Sequence, residues 1–215
     1  YIVVDTAGLR KKGRIVDSVE EYSTMRSIGA ISNCDVAVLL VDAVEGPTDQ
    51  DAKVLGLAHD QGKGIIIAVN KWDLVEKDHR TAHDFKLNVA EAFKFAAYAP
   101  HLFISALSGR RCENLLRTAR EVAQNRLRRV STAKLNRTLT KQLRRVSPPN
   151  YRGGPIKIYY ASQIDVAPPL FLLVANYPRG VHFSYLRFVK NIIRDSFGFE
   201  GSDVKLKLTS RRAMD

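Results

Sequence analysis

The chain has little cysteine and no apolar run of membrane length. Cys34 and Cys112 are the two cysteines in 215 residues. They have no paired spacing and no ligand histidines nearby, which excludes a disulfide framework and a cysteine-built metal site and leaves reduced thiols in a reducing, cytoplasmic compartment. The plainer role for both is that of a small buried hydrophobe. The longest apolar runs, Val36–Val41 and Ile65–Val69, fall far short of the roughly 18 to 20 residues a membrane-crossing helix needs. There is no internal repeat and no low-complexity tract. Of the histidines, His79 and His83 stand four apart without a third ligand. Nor is there a G-x-x-x-x-G-K-[ST] phosphate loop. Between Gly56 and Gly64 the glycines are spaced one residue too far, and Lys63 is followed by glycine.

Positive charge is abundant but unevenly spread. The net charge is +12; residues 1–109 carry 12 Lys/Arg against 15 Asp/Glu, whereas residues 110–215 carry 22 against 7. An acidic-to-neutral front joined to a basic back predicts an engine attached to a module that faces a polyanion, RNA above all. The alternative for the arginine-rich stretch from Arg110 to Arg129 is a solvated helix face.

With 45% hydrophobic content the chain can bury a core, and its pattern predicts two domains, 1–131 and 132–215. In the first, short apolar runs alternate with helical periodicity, as in strands buried between crossover helices. Strands are expected at Tyr1–Val4, Asp35–Asp42, Gly64–Asn70 and His101–Ser105. Helices are expected near Glu21–Ser32, Asp49–Gln61, Asp84–Tyr98 and Cys112–Arg129. The apolar strand at residue 1 predicts that the chain begins inside a fold. After Ser131 the order becomes helix, strand, strand, helix, strand: helices Leu135–Arg145 and Ser184–Ser196, strands Ile156–Ser162, Leu170–Asn176 and Val204–Leu208.

Ligands of such α/β sheets bind at the carboxyl ends of the strands, and three of the expected strands run into polar turns there. Asp5-Thr6-Ala7-Gly8 offers a carboxylate that can hold Mg²⁺ through water and a glycine that lets backbone approach a terminal phosphate. In Asn70-Lys71-Trp72-Asp73 the Asp73 carboxylate can accept from the N1 and N2 donors of guanine, a pair adenine lacks. The Lys71 stem can lie along the base, and Asn70 can brace the neighbouring loops. Ser105-Ala106-Leu107 offers backbone amides to the guanine O6. Each turn alone has an ordinary reading as a polar exit from a strand; three in this order do not.

These stretches resemble the switch II, base-specificity and final base-contact motifs of the guanine-nucleotide-binding GTPases. Asp5 to Gly13, Glu21-Tyr22-Ser23, Asp42-Ala43-Val44-Glu45-Gly46, Asn70 to Leu74 and Lys157-Ile158-Tyr159-Tyr160-Ala161 are similar to the bacterial double-GTPase family called Der or EngA, across the whole chain. The resemblance implies a P-loop-GTPase-like α/β domain, truncated at its N-terminus, followed by a small α+β KH-like domain. It implies GTP or GDP bound through Asp5, Thr6, Ala7, Gly8, Leu9, Asn70, Lys71, Asp73, Ser105, Ala106 and Leu107, with Mg²⁺ at Asp5. The implied partners are the large ribosomal subunit and its RNA, together with an upstream GTPase domain of the same chain; no membrane is implied.

Three departures qualify that picture. Without the phosphate loop and first switch, the chain as written is expected to hydrolyse no GTP, and the alternative is a nucleotide-incompetent RNA- or protein-binding module. Leu9 also stands where Ras-type GTPases carry a water-orienting glutamine. Relatives with that change turn to K⁺ and backbone groups, so no catalytic residue is assigned. The KH-like region likewise lacks a G-x-x-G loop, which moves the expected RNA contact to a basic surface. The cations expected to form it are Arg126, Arg128, Arg129, Lys134, Arg137, Arg144 and Arg145.

Overall fold

The computed structural model describes residues 1–5 and 29–211. They divide into two compact units, Tyr1–Glu121 and Val122–Asp215.

The first unit is built on a parallel sheet of three strands in the order β1 (Val36–Asp42), β2 (Gly64–Asn70) and β3 (His101–Phe103). Val36 pairs with Gly64 and Asp42 with Asn70, so β1 and β2 end level. Ile65 to Val69 of β2 are fully buried, which is why this run reads as continuously apolar rather than alternating. Helix α1 (Asp49–Asp60) starts at a capping box: the Thr48 hydroxyl accepts from the Asp51 amide, and the Asp51 side chain accepts from the Thr48 amide. Helix α2 (Thr81–Ala92) begins earlier than the expected Asp84. Asp78 Oδ1 accepts from the Thr81 amide at 2.7 Å and the Arg80 amide at 2.8 Å, which fixes the start there. It also ends before the expected Tyr98. The chain turns at Phe93 into a short 3₁₀ segment, Lys94–Ala96, that brings Phe93, Ala96 and Tyr98 into the core.

Residues 1–4 correct the sequence reading. They form no strand and are 59% to 95% exposed, since an apolar tetrapeptide becomes a strand only by pairing with a neighbour. Of the expected helix Glu21–Ser32, residues 21–28 lie outside the described residues, and 29–33 are helical.

Helix α3 (Cys112–Leu127) spans the division between the units. The sequence break at Ser131 is a joint between helices, with Ser131 as the N-terminal flank of α4 (Thr132–Leu143). The last turn of α3 packs within the second unit. Arg126 is buried with its guanidinium on the Ala167 carbonyl, and Asn125 donates to the Glu200 carbonyl at 3.1 Å. Gly201 (φ 75°) lies against Val122 so closely that a Cβ there would overlap it.

The second unit is α+β in the expected order. Strand β4 (Ile158–Asp165) pairs antiparallel with β5 (Leu170–Ala175), which pairs parallel with β6 (Lys205–Ser210). Helix α5 (Phe183–Phe197) buries Tyr185, Val189, Ile193 and Phe197, one residue per turn. They meet Leu135 and Leu139 of α4 and Phe171 and Leu173 of β5 in one core.

Candidate functional site

The carboxyl ends of β1, β2 and β3 gather the described half of the predicted site. Asn70 closes β2, and its side-chain oxygen accepts from the Ala106 amide at 2.9 Å, tying the two expected base-contact loops together. The bracing role read from the sequence therefore has a definite partner. Lys71 follows in the left-handed region at φ 60°, a conformation that costs a non-glycine residue energy and is retained where surrounding contacts impose it. Those contacts are visible. The Trp72 amide donates to the Ile104 carbonyl at 3.1 Å, and its ring lies 4.2 Å from that of Phe103 and 5.6 Å from that of Phe85 on α2.

Asp73 then projects into solvent as an exposed carboxylate. A hydrogen bond from the Ser105 hydroxyl, first among the causes, holds its carboxyl below the ordinary carboxylate range. Ser105 is itself buried, and its hydroxyl also receives the Ser108 hydroxyl at 2.9 Å. The arrangement is a water-accessible anion aimed from a fixed loop, able to accept two N–H donors at once. One expectation changes in detail. The Ser105 and Ala106 amides donate to the Arg110 carbonyl and to Asn70, so neither points outward as a donor, whereas Leu107 is nearly fully exposed.

Sequence reasoning missed Asp42 as part of this site. Asp42 ends β1 opposite Asn70, and its buried carboxylate lies 2.7 Å from the Lys71 ammonium while accepting the Val44 amide at 2.9 Å. The hydrogen bond from Lys71 is the largest cause holding its carboxyl below the usual range, followed by that from Val44. The sequence shows a carboxylate closing an apolar strand; its register with Asn70 comes only with the structure. Trp72 was quoted in the motif but given no role; it anchors the loop.

Asp5 is exposed, whereas Thr6, Ala7, Gly8 and Leu9 lie outside the described residues. Among the described residues no group of three His, Cys, Asp or Glu side chains converges to hold a metal. A lone carboxylate suits a water-mediated Mg²⁺ contact but does not make a site.

In the second unit the predicted cations separate into two kinds. Arg126 is buried, and Arg128 donates to the Phe197 carbonyl at 2.6 Å and to Asn125 at 2.8 Å, closing the end of α5. Burial takes Arg126 out of the expected RNA contacts, whereas Arg128 is exposed and also spends part of its guanidinium on a helix end. Arg129, Lys134, Arg137, Arg144 and Arg145 are exposed. Ahead of α5, Pro178–Gly180 forms a 3₁₀ turn, and Gly180 packs on the Tyr151 ring.

The α/β unit and the α+β unit each match a known domain family. Residues 15–125 match the elongation factor Tu GTP binding domain, and residues 129–209 match the KH-domain-like, C-terminal domain of EngA bacterial GTPase enzymes. The chain belongs to the GTP-binding domain family of elongation factor Tu and, through the pairing of the two domains, to the Der (EngA) GTPases. It is 46% identical over 215 residues to GTPase Der of Caldanaerobacter subterraneus subsp. tengcongensis, covering 100% of this chain and 49% of that protein. It is 44% identical over 211 residues to GTPase Der of Thermoanaerobacter pseudethanolicus, covering 98% and 48%. The figure for GTPase Der of Moorella thermoacetica is 46% over 206 residues, covering 96% and 47%. The chain thus spans about half the length of the curated relatives it matches.

Proposed function

We propose that the chain supplies the guanine-reading side of a GTP-binding, GTP-hydrolysing switch whose basic C-terminal unit meets the RNA of the large ribosomal subunit during its assembly. The observation that carries the nucleotide half is the exposed Asp73 carboxylate oriented by Ser105, beside an Asn70–Ala106 bond that joins the two loops. Asp73 accepts from guanine N1 and N2, the Lys71 stem covers one base face, and the Leu107 amide meets O6. Asp5 and the stretch Thr6 to Leu9 are assigned to the phosphates, where Mg²⁺ when bound would offset phosphate charge. Hydrolysis and the K⁺ that would replace the missing glutamine belong to this reading of the whole protein, as does an upstream GTPase domain. A cytoplasmic setting fits two cysteines that form no disulfide, and no described helix is long and apolar enough to cross a membrane.

The RNA half rests on the charge of residues 110–215 and on the exposed cations of α4 and its flanks. Two measurements test the reading: titration with fluorescent GDP against fluorescent ADP, and co-sedimentation with purified large ribosomal subunits over a salt series. Guanine-selective binding and salt-sensitive co-sedimentation are expected. Equal response to both nucleotides, or no co-sedimentation at low salt, contradicts it.

A further inference from the structure

The second unit contains a trough that the nucleotide reading does not use. It lies between α4 and the start of β4 and encloses about 340 Å³, within the size range of ligand-binding clefts. Leu139, Ile156, Ala161 and Tyr185 line it as buried side chains. Its exposed lining is different in character: Tyr159 and Tyr160 from β4, Arg144 from the end of α4, and Lys157 just before the strand. Tyr185 also fixes one end, because its hydroxyl donates to the Val146 carbonyl at 2.9 Å and so positions the turn bearing Ser147 and Pro148.

Three observations select the occupant. First, from Val122 to Ile164 the chain carries ten Lys/Arg and no Asp or Glu, so a ligand entering the trough crosses a field of one sign. Second, β4 is an edge strand, but the Asn136 side chain already occupies its outer backbone. It donates to the Ala161 carbonyl at 2.7 Å and accepts the Ala161 amide at 2.8 Å. That blocks the middle of the edge against a peptide adding as a further strand. Third, two adjacent exposed tyrosines beside an apolar floor offer flat surfaces to a flat, apolar-faced group. A polyanion that presents such groups is a single nucleic-acid strand; a duplex keeps its bases stacked inside.

We infer that the trough between α4 and β4 binds single-stranded RNA, with an unstacked base against Tyr159 or Tyr160 and the neighbouring phosphates met by Arg144 and Lys157. The inference rests on the RNA contact proposed above and places it at α4 and β4, with no part of the Pro178–Gly180 turn in its lining.

The test uses the full 215-residue chain and a fluorescein-labelled, mixed-sequence single-stranded RNA about a dozen nucleotides long, within the span such sites cover. Tyr159→Ala and Tyr160→Ala are compared with Tyr159→Phe and Tyr160→Phe. Both side chains are well exposed, so neither change opens the core. At least one alanine variant is expected to weaken binding on the order of tenfold, with the phenylalanine variant close to wild type, since stacking needs the ring and not the hydroxyl. The slope of log affinity against log salt should stay unchanged in these variants. In the double variant Arg144→Gln/Lys157→Gln that slope should become shallower by about 1.4, the single-strand coefficient applied to two phosphates. A 4-thiouridine-substituted RNA should photocrosslink to the peptide containing Tyr159 and Tyr160. If wild type binds the strand but the alanine variants bind equally well and no crosslink maps there, the trough assignment is overturned while RNA binding elsewhere stands. If wild type binds no RNA at low salt, both fail, and an acidic peptide becomes the occupant to test.

Discussion

The Lys71 ammonium sits 2.7 Å from the buried Asp42 carboxylate, linking the end of β1 to the loop that follows β2. Lys71 is half exposed and held in a left-handed backbone conformation. Asp42 therefore acts as the fixed post of the pair, and the lysine stem as the arm it holds in place.

Replacing Asp42 by Asn should destabilise the first unit by about 1–2 kcal/mol at neutral pH, the lower part of the range for hydrogen bonds to charged groups because Lys71 is solvated. Trp72, the single tryptophan, reports this unit in urea titrations. Because the folded Asp42 carboxyl is held below its ordinary range, its contribution is present above the unfolded carboxylate value and is lost as pH falls through the lowered folded value. The difference between wild type and Asp42→Asn should thus be full at pH near 7 and shrink in strongly acidic solution. A gap that does not change with pH contradicts the role of the ion pair.

Ser105→Ala should raise the Asp73 carboxyl toward its ordinary value, since the Ser105 hydroxyl is the largest cause of the lowering. The carboxyl carbon resonance followed by NMR across acidic pH measures it directly. Because the buried Ser105 hydroxyl also accepts from the Ser108 amide and hydroxyl, the titration is followed where circular dichroism shows the variant folded. An unchanged titration means that the serine does not orient the carboxylate.

Much of this site was legible in the sequence, and what was not has definite causes. The strands Val36–Asp42 and Gly64–Asn70 stand out because burial on both faces demands unbroken apolar runs. The loops after β2 and β3 stand out because polar residues at strand ends are few. Asp42 was passed over because its role depends on register with Asn70, which periodicity along one strand does not contain. The start of α2 was misplaced because Asp78 caps it by accepting from Arg80 and Thr81, a local bond that competes with the apolar pattern used to draw the helix. Arg126 and Arg128 looked like the other arginines because charge does not reveal which guanidinium closes a helix end.

That distinction gives a third expectation. Arg128→Ala removes the donor at the Phe197 carbonyl and should lower hydrogen-exchange protection in the last turn of α5 by about 1–2 kcal/mol, the size of a charged group's bond at a helix C-terminus. Arg129→Ala should leave it unchanged, because Arg129 is exposed. In RNA titrations the order reverses: Arg129→Ala is expected to reduce the salt slope and Arg128→Ala to leave it nearly intact. Equal effects of the two in both assays contradict the division into structural and surface cations.

The central claim, that the loops after β2 and β3 read guanine through Asp73, is tested most directly by amide NMR of the 215-residue chain titrated with GMP, AMP and XMP. GMP should shift the amides of Lys71, Asp73, Ala106 and Leu107, while AMP leaves them in place. In Asp73→Asn the preference should pass to XMP, because the amide can donate to the xanthine oxygen where the carboxylate accepted from the guanine amine. If GMP and AMP perturb the same amides equally, or Asp73→Asn responds to GMP as wild type does with no gain for XMP, Asp73 does not read the base.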